Sequence, residues 1–295
     1  MFDAIIIGGS YAGLSAALQL ARARQKILVI DNEQPRNRFA THSHGFITHD
    51  GRPPREISHE ARLQLMRYPT VLWIDAYAQQ ASKTERGFAV EAAGQVYEAR
   101  RIVLAMGVSD GLPKIEGLEE RWGRSVFHCP YCHGYELEQG RIGVLAVSAL
   151  SMHHALMLPD WGQTTFFLNE VFEPDAGQIA QLERRGVTIE RSRVLRISGE
   201  RADMHLWDGR ILPLDGLFTA TATKPSSPLA EQLGCAFDEG PMGPFIRTND
   251  MKETSVPGVM ACGDVARAAG TVAWAVGDGA MAGAATHRSL MFADL

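Results

Sequence analysis

Ala4-Ile5-Ile6-Ile7-Gly8-Gly9-Ser10-Tyr11-Ala12-Gly13 lies close to the start of the chain and decides how the rest is read. The apolar run Ala4 to Ile7, mostly β-branched, suits a short strand buried on both faces of a parallel sheet. The glycines turn it into a helix running from Leu14 to about Arg24, and Lys26 to Ile30 is the next strand, ending in Asp31. This is a βαβ unit carrying a dinucleotide-binding fingerprint. Gly8 makes the tight turn, Gly13 lets helix and strand pack closely, and the helix N-terminus, with Gly9, Ser10, Tyr11 and Ala12 around it, receives a pyrophosphate. Asp31, about twenty residues on, is placed to bind ribose hydroxyls. Ser10 stands where the motif usually has its second glycine. A purely structural turn would not need strand, helix and terminal acid in register, so dinucleotide binding is the expectation.

The second informative stretch is His128-Cys129-Pro130-Tyr131-Cys132-His133-Gly134-Tyr135-Glu136. Cysteines at i and i+3 can close a small disulfide ring, and at a helix start the free amides and macrodipole favour the thiolate. His133, directly after the second cysteine, is the candidate for acid/base work, since an unperturbed imidazole titrates at about 6.5. Half of a zinc site is the alternative, with His128 or His133 as third ligand, but the remaining cysteines, Cys235 and Cys262, form no second pair of this spacing. No metal is expected.

The 295 residues suffice for two domains, and 45% hydrophobic with 21% charged residues is ordinary globular composition. A net charge of -5 and a pI near 6.1, without a Lys/Arg block, argue against nucleic acid or an anionic membrane as partner. Four cysteines in so long a chain make no disulfide framework, so a reducing cytoplasmic location with a catalytic cysteine pair is expected. The mostly apolar stretch Thr271 to Ala285 is broken by Asp278 and several glycines and falls short of the roughly 20 residues of a membrane span.

Asn32 to Pro54 is too long for an idle connection and holds Pro35-Arg36-Asn37-Arg38 and Thr41-His42-Ser43-His44-Gly45, polar groups, Asn37 and His42 among them, that could lie along a cofactor. Glu56 to Met66 reads as an amphipathic helix; Val71 to Ala76, Gly87 to Ala92 and Val96 to Ala99 read as strands; Arg101 to Gly107 is a buried strand ending in glycine. Arg141 to Ala146, a helix from about Leu150 to Leu158, and Thr164 to Leu168 form a second βαβ unit whose glycine turn is lost. Gln178 to Arg185 suits a helix; Val187 to Ile189, Val194 to Ile197, Asp203 to Trp207, Ile211 to Pro213 and Gly216 to Ala222 suit strands. Pro257 to Cys262 is a strand ending in Gly263-Asp264, ahead of a helix from Thr271 to Leu290.

Taken in order, Gly8 to Gly13, Asp31, Leu104 to Gly107, the cysteine pair and Gly263-Asp264 before the final helix resemble the thioredoxin-reductase-like branch of the FAD-dependent pyridine nucleotide-disulfide oxidoreductases. The resemblance implies an α/β fold of two Rossmann-like three-layer domains in the thioredoxin-reductase architecture. It implies a discontinuous FAD domain, 1-113 plus 246-295, and a smaller, degenerate nucleotide-binding domain, 114-245, carrying the cysteines. It further implies that Asp264 hydrogen-bonds the ribityl chain, that the helix N-terminus at Thr271, Val272 and Ala273 faces the flavin ring, that Cys132 lies nearest the flavin, and that Cys129 meets substrate. Homodimers are usual for the family.

Three departures bear on function. An acidic residue normally follows the second cysteine; here it is His133, and Cys-Pro-Tyr-Cys-His-Gly-Tyr-Glu, with His44-Gly45, is more similar to the dithiol oxidases of the gliotoxin and holomycin type. Ala146-Val147-Ser148 replaces the family's second run of glycines, so a β-branched side chain stands where backbone must approach a pyrophosphate. Leu168-Asn169-Glu170 replaces the basic cluster for the 2′-phosphate of NADPH, though Glu170 could still pair with a plain ribose. The expectation is an FAD enzyme passing electrons between the dithiol and flavin, with a small dithiol or disulfide or a thioredoxin-like protein as partner. Oxygen, a protein electron donor or a nicotinamide would reset the flavin, and a second FAD in the vacated site is a hypothesis. The alternatives are an NAD(P)H-dependent disulfide reductase and a flavin redox sensor without turnover.

Overall fold

The computed structural model describes residues 1–292. They fall into two compact units, one made of Met1–Arg38, Arg55–Ser109 and the chain from Thr223 on, the other of Phe39–Pro54 and Asp110–Ala222. Relative to the boundaries expected from sequence, the stretch 223–245 joins the first unit. The short helix Leu229–Leu233 buries Leu229, Ala230 and Leu233 in that unit's core, and Gln232 Oε1 accepts from the Ala81 amide at 2.9 Å. The segment 39–54 joins the second unit.

The first unit is built on a seven-stranded sheet. Val71–Asp75, Ile27–Asp31, Phe2–Ile7, Gln95–Leu104 and Val259–Ala261 run parallel, in register at Val29↔Trp73, Ile6↔Val29, Ile6↔Val103 and Val103↔Met260. Ala78–Thr84 and Gly87–Ala92 form an antiparallel meander with the first half of Gln95–Leu104. Side chains alternate across the parallel strands: Ala4, Ile6, Ile27, Val29 and Val103 pack under the helix Tyr11–Arg22, while Ile5, Ile7, Leu28, Ile30, Ile102 and Leu104 meet Phe88, Val90 and Leu233. Both faces are covered, which is why these strands read as unbroken apolar runs. Each fully buried Ile or Leu contributes roughly 1.5–3 kcal/mol.

The helices Tyr11–Arg22 and Val272–Met291 lie side by side on one face. A Cβ on Gly279 would collide with the Ala12 carbonyl and one on Gly283 with the Ala16 carbonyl, so the two run parallel and their N-termini open at the same end of the unit.

The second unit holds a five-stranded parallel sheet in the order Thr188–Glu190, Gly162–Phe167, Gln139–Leu145, Gly216–Thr219, Val126–Phe127. An antiparallel layer, Val194–Ser198, Ala202–Leu206 and Ile211–Leu214, packs Val194, Ile197, Met204 and Leu206 against Leu145, Phe167 and Leu217. Ser151–Met157 and Ala176–Arg184 cover the other face, the latter begun by a capping box of Asp175 and Gln178. Two strands expected separately are one here, Gln95–Leu104, and Gly216 to Ala222 breaks after Thr219. Ala78–Thr84 was not legible because its Gln-Gln and Ser-Lys-Thr leave only Ala78 and Ala81 buried.

Candidate active site

In the first unit the glycine turn is fixed by close backbone approach. Gly8 has φ +98°, and a Cβ there would strike the Ala105 carbonyl; a Cβ on Gly13 would strike the Gly8 carbonyl. Ser10 is extended, at φ -89° and ψ -164°, a conformation open to any residue, so the departure from glycine costs nothing there. The helix after it has no side-chain cap and no acidic residue in its first turn, leaving its leading amides for an anion. The Gly9 amide donates to Asp31 Oδ1 at 2.9 Å and the Glu33 amide to Oδ2 at 3.3 Å. Burial raises the Asp31 carboxyl above its ordinary range against the pull of those two amides.

The other expected cofactor residues of this unit gather at the same end. Asn37 Nδ2 donates to the Tyr11 hydroxyl at 3.3 Å, and burial pushes that phenol up. Arg36, from the same polar stretch, donates to Asp264 Oδ2 at 2.9 Å. Gly263, at φ +74°, brings the Asp264 turn against Ala12, and Gly107 needs its φ of +65° although a Cβ there would have open space. Thr271 caps the last helix by accepting from the Trp274 amide at 3.1 Å, so the Val272 and Ala273 amides are left facing outward. Two helix N-termini at one end of the unit, a glycine cradle with no space for side chains and an acid at the second strand's end are features that suit FAD. His42 lies in the second unit.

In that second unit, Val126–Phe127 leads into Cys129, which is joined to Cys132 by a disulfide with Cα atoms 5.3 Å apart. Pro130–His133 is a single helical turn starting at Pro130, so few aligned peptides stand behind Cys129, and the expected macrodipole support for a thiolate is correspondingly small. Gly134 is required because a Cβ would meet the Trp161 ring and the Pro130 carbonyl oxygen at 2.7 Å. His133 stacks on Phe127, ring centroids 4.4 Å apart. Burial, with His44 nearby, lowers its pKa to about 4, so it is a neutral imidazole near pH 7. Cys235 and Cys262 are buried free thiols, Cys262 pushed up to about 12 by burial, and both are inert.

A polar cavity of about 300 Å³ adjoins this segment, with Thr41, His42, His44, Phe127, His133 and Glu136 in its wall. His44 and Glu136 belong to the two motifs that carry the resemblance to dithiol oxidases, but nothing in the local pattern shows that a residue at 44 reaches one at 136.

The turn after Gln139–Leu145 is closed on itself. The Val147 amide donates to Ser151 Oγ at 3.0 Å and the Leu150 amide to Ser148 Oγ at 3.2 Å. Glu170 is exposed just past the carboxyl end of Gly162–Phe167, and Asn169 Oδ1 is held by the Val194 amide at 2.9 Å.

A dinucleotide cradle in one unit and a redox disulfide in the other define a flavoprotein that handles disulfides. Residues 2–279 match the model of the pyridine nucleotide-disulphide oxidoreductase family, and the chain belongs to that family as a thioredoxin-reductase-like, FAD-dependent disulfide oxidoreductase. It is 30% identical to "Thioredoxin reductase sirT" of Leptosphaeria maculans over 100% of this chain and 96% of that one. It is similar to the crystal structure of an oxidoreductase from Agrobacterium tumefaciens, at 58% identity and TM-score 0.96 over 99% of each chain. It is also similar to the structure of HlmI, at 32% identity and TM-score 0.91 over 98% of this chain and 92% of that one. Among the described residues no helix is long and apolar enough to cross a membrane.

Proposed function

We propose that this protein passes electrons between a small dithiol or thioredoxin-like partner and FAD through Cys129 and Cys132, and does not use NADPH in the family's usual way. The observation that carries the second half is the closed turn: Ser151 Oγ occupies the Val147 amide that a nucleotide pyrophosphate would need, and Ser148 occupies that of Leu150. Glu170 adds a carboxylate where a 2′-phosphate would lie. The same closure disfavours a second flavin bound through its pyrophosphate. The proposed domains follow the two units, the first holding FAD and the second the dithiol, and the proposed assembly is the family's homodimer.

In the oxidative direction a substrate thiolate attacks Cys129, forming a mixed disulfide and releasing Cys132 as thiolate. The second substrate thiol then displaces Cys129, so the substrate leaves as a disulfide and the protein pair as a dithiol. His133, neutral and beside Cys132, accepts the proton of the incoming thiol. FAD, when bound, supplies the two-electron partner of the cysteine pair. Asp31, Asn37, Asp264 and the amides at 272 and 273 hold and orient it.

The test is anaerobic mixing of the yellow holoprotein with NADPH, NADH and dithiothreitol separately, following flavin absorbance with FAD counted per chain. Bleaching by dithiothreitol but by neither nicotinamide is expected, with one flavin per chain. Rapid bleaching by NADPH would return the protein to the ordinary reductases, and two flavins per chain would fill the second unit's nucleotide site. Cys132→Ser should keep FAD and lose dithiol turnover; retained turnover would refute the cysteine mechanism.

A further inference from the structure

Neither Cys129 nor Cys132 lines the cavity of the second unit, but His133 and Glu136, from the turns that follow them, both do. His133 is therefore the side chain that the disulfide segment and the cavity share. Also in the cavity wall is His44, between two carboxylates: Nε2 is 3.4 Å from Glu136 Oε1 and Nδ1 is 3.7 Å from Asp50 Oδ1. Among the described residues His133 has no carboxylate within ion-pair distance, and its ring lies on Phe127. An imidazole so placed takes a proton only in passing, and needs somewhere to put it.

We propose that the His44–Glu136 pair is the proton exit of the dithiol reaction, receiving through cavity water the proton that His133 takes from the substrate thiol and releasing it to solvent. This rests on the assignment of Cys129 and Cys132 as the reacting pair. The balance is simple. The first substrate sulfur bonds to Cys129 as the Cys129–Cys132 bond breaks, the second substrate sulfur then bonds to the first as the bond to Cys129 breaks, and two electrons end on the two cysteine sulfurs while each substrate S–H gives up one proton. The thiol proton moves from sulfur to His133, then by water to His44, with Glu136 and Asp50 holding the charge. The oxidant of this half-reaction is the protein disulfide itself. The cavity is polar and roomy enough for bridging water. In the opposite direction the same path delivers the proton.

Charged groups of both signs surround His44. His42, from the same loop as His44, has its ring centroid 6.4 Å away. Arg124 and Glu200 also line the cavity, and Arg201 is paired with Asp215 at 3.2 Å. His44 and Glu136 touch neither substrate sulfur nor cysteine; they act through His133.

The experiment mixes oxidised holoprotein anaerobically with dithiothreitol from about pH 6 to 9 and follows flavin reduction by stopped flow, for the parent, Glu136→Gln and His44→Ala. Glu136 is exposed and Gln is isosteric, so that variant keeps the fold. Both variants should be slower by about tenfold or more at pH 7. The deficit should close toward pH 9, where the substrate thiol ionises unaided, and added imidazole should restore His44→Ala. Parent-like rates at pH 7, or a deficit unchanged by pH and by imidazole, would overturn the exit path. If the parent itself is not reduced by dithiothreitol, the cysteine assignment falls as well; if the parent is reduced and only the variants behave as parent, the exit path alone falls.

Discussion

His133 and His154 are two imidazoles of the second unit that burial keeps neutral. Burial lowers each to about 4, with His44 contributing at the first and His128 and His153 at the second, whose ring lies 5.6 Å from that of His128. The folded values lie below the unfolded value of 6.5, so the unfolded chain binds more protons between them. The stability this provides is fully present above pH 6.5 and is lost as the pH falls toward about 4. For His154, 8% exposed, the loss is on the order of 3 kcal/mol. Urea midpoints of the holoprotein measured from pH 7 to pH 4.5 should fall steeply, and His154→Leu should flatten the curve; an unchanged slope would mean that His154 stays solvated. Chain position marked His133 as functional because it follows a cysteine pair. His154 carries no such mark, since only the folded chain shows what surrounds it.

At the level of elements, strand–turn–helix units were legible because one side-chain pattern reports one environment: apolar runs for strands covered on both faces, glycines where backbones touch. The last helix shows what the pattern leaves out. Asp278 broke the apolar run at 271–285 and read as an interruption; in the fold it is 5% exposed and binds Lys252 Nζ at 2.8 Å and Arg267 Nε at 2.5 Å. Burial alone would raise its carboxyl, but those two cations hold it below the ordinary range. Arg267 also lies over Trp274, 5.0 Å from the ring centroid, so the ion group ties the Asp264 turn to the start of the helix. Asp278→Asn leaves two cations in a largely buried place without their acid and should cost about 3–5 kcal/mol. Thermal unfolding followed by flavin fluorescence should show FAD released at a lower temperature than in the parent, whereas a parent-like midpoint would reduce this group to a surface ion pair. Short elements such as Leu229–Leu233 escaped notice because five residues cannot display a helical period.

On the scale of the whole chain, the same βαβ design occurs twice with different chemistry at its first turn. After Phe2–Ile7 the helix begins with uncapped amides, glycines and no acid in its first turn; after Gln139–Leu145 the amides of Val147 and Leu150 already have serine acceptors. The order of motifs revealed both units, and Val147 and Glu170 revealed that the second departs from its pattern. The serine closure was hidden because a Ser three residues past another Ser reads as an ordinary helix start. If that closure is what excludes a nucleotide, undoing it should restore binding. Ser151→Ala frees the Val147 amide, Val147→Gly removes the side chain at the approach, and Glu170→Arg supplies a partner for the 2′-phosphate. By calorimetry the triple variant should bind NADPH with a Kd in the millimolar range or better, worth about 4 kcal/mol, while the parent shows none. NADH should gain less, because it has no phosphate for Arg to meet. Binding by the parent equal to that of the variant would mean that the serines yield to a nucleotide. Absence of binding in both would place the obstruction elsewhere in the second unit.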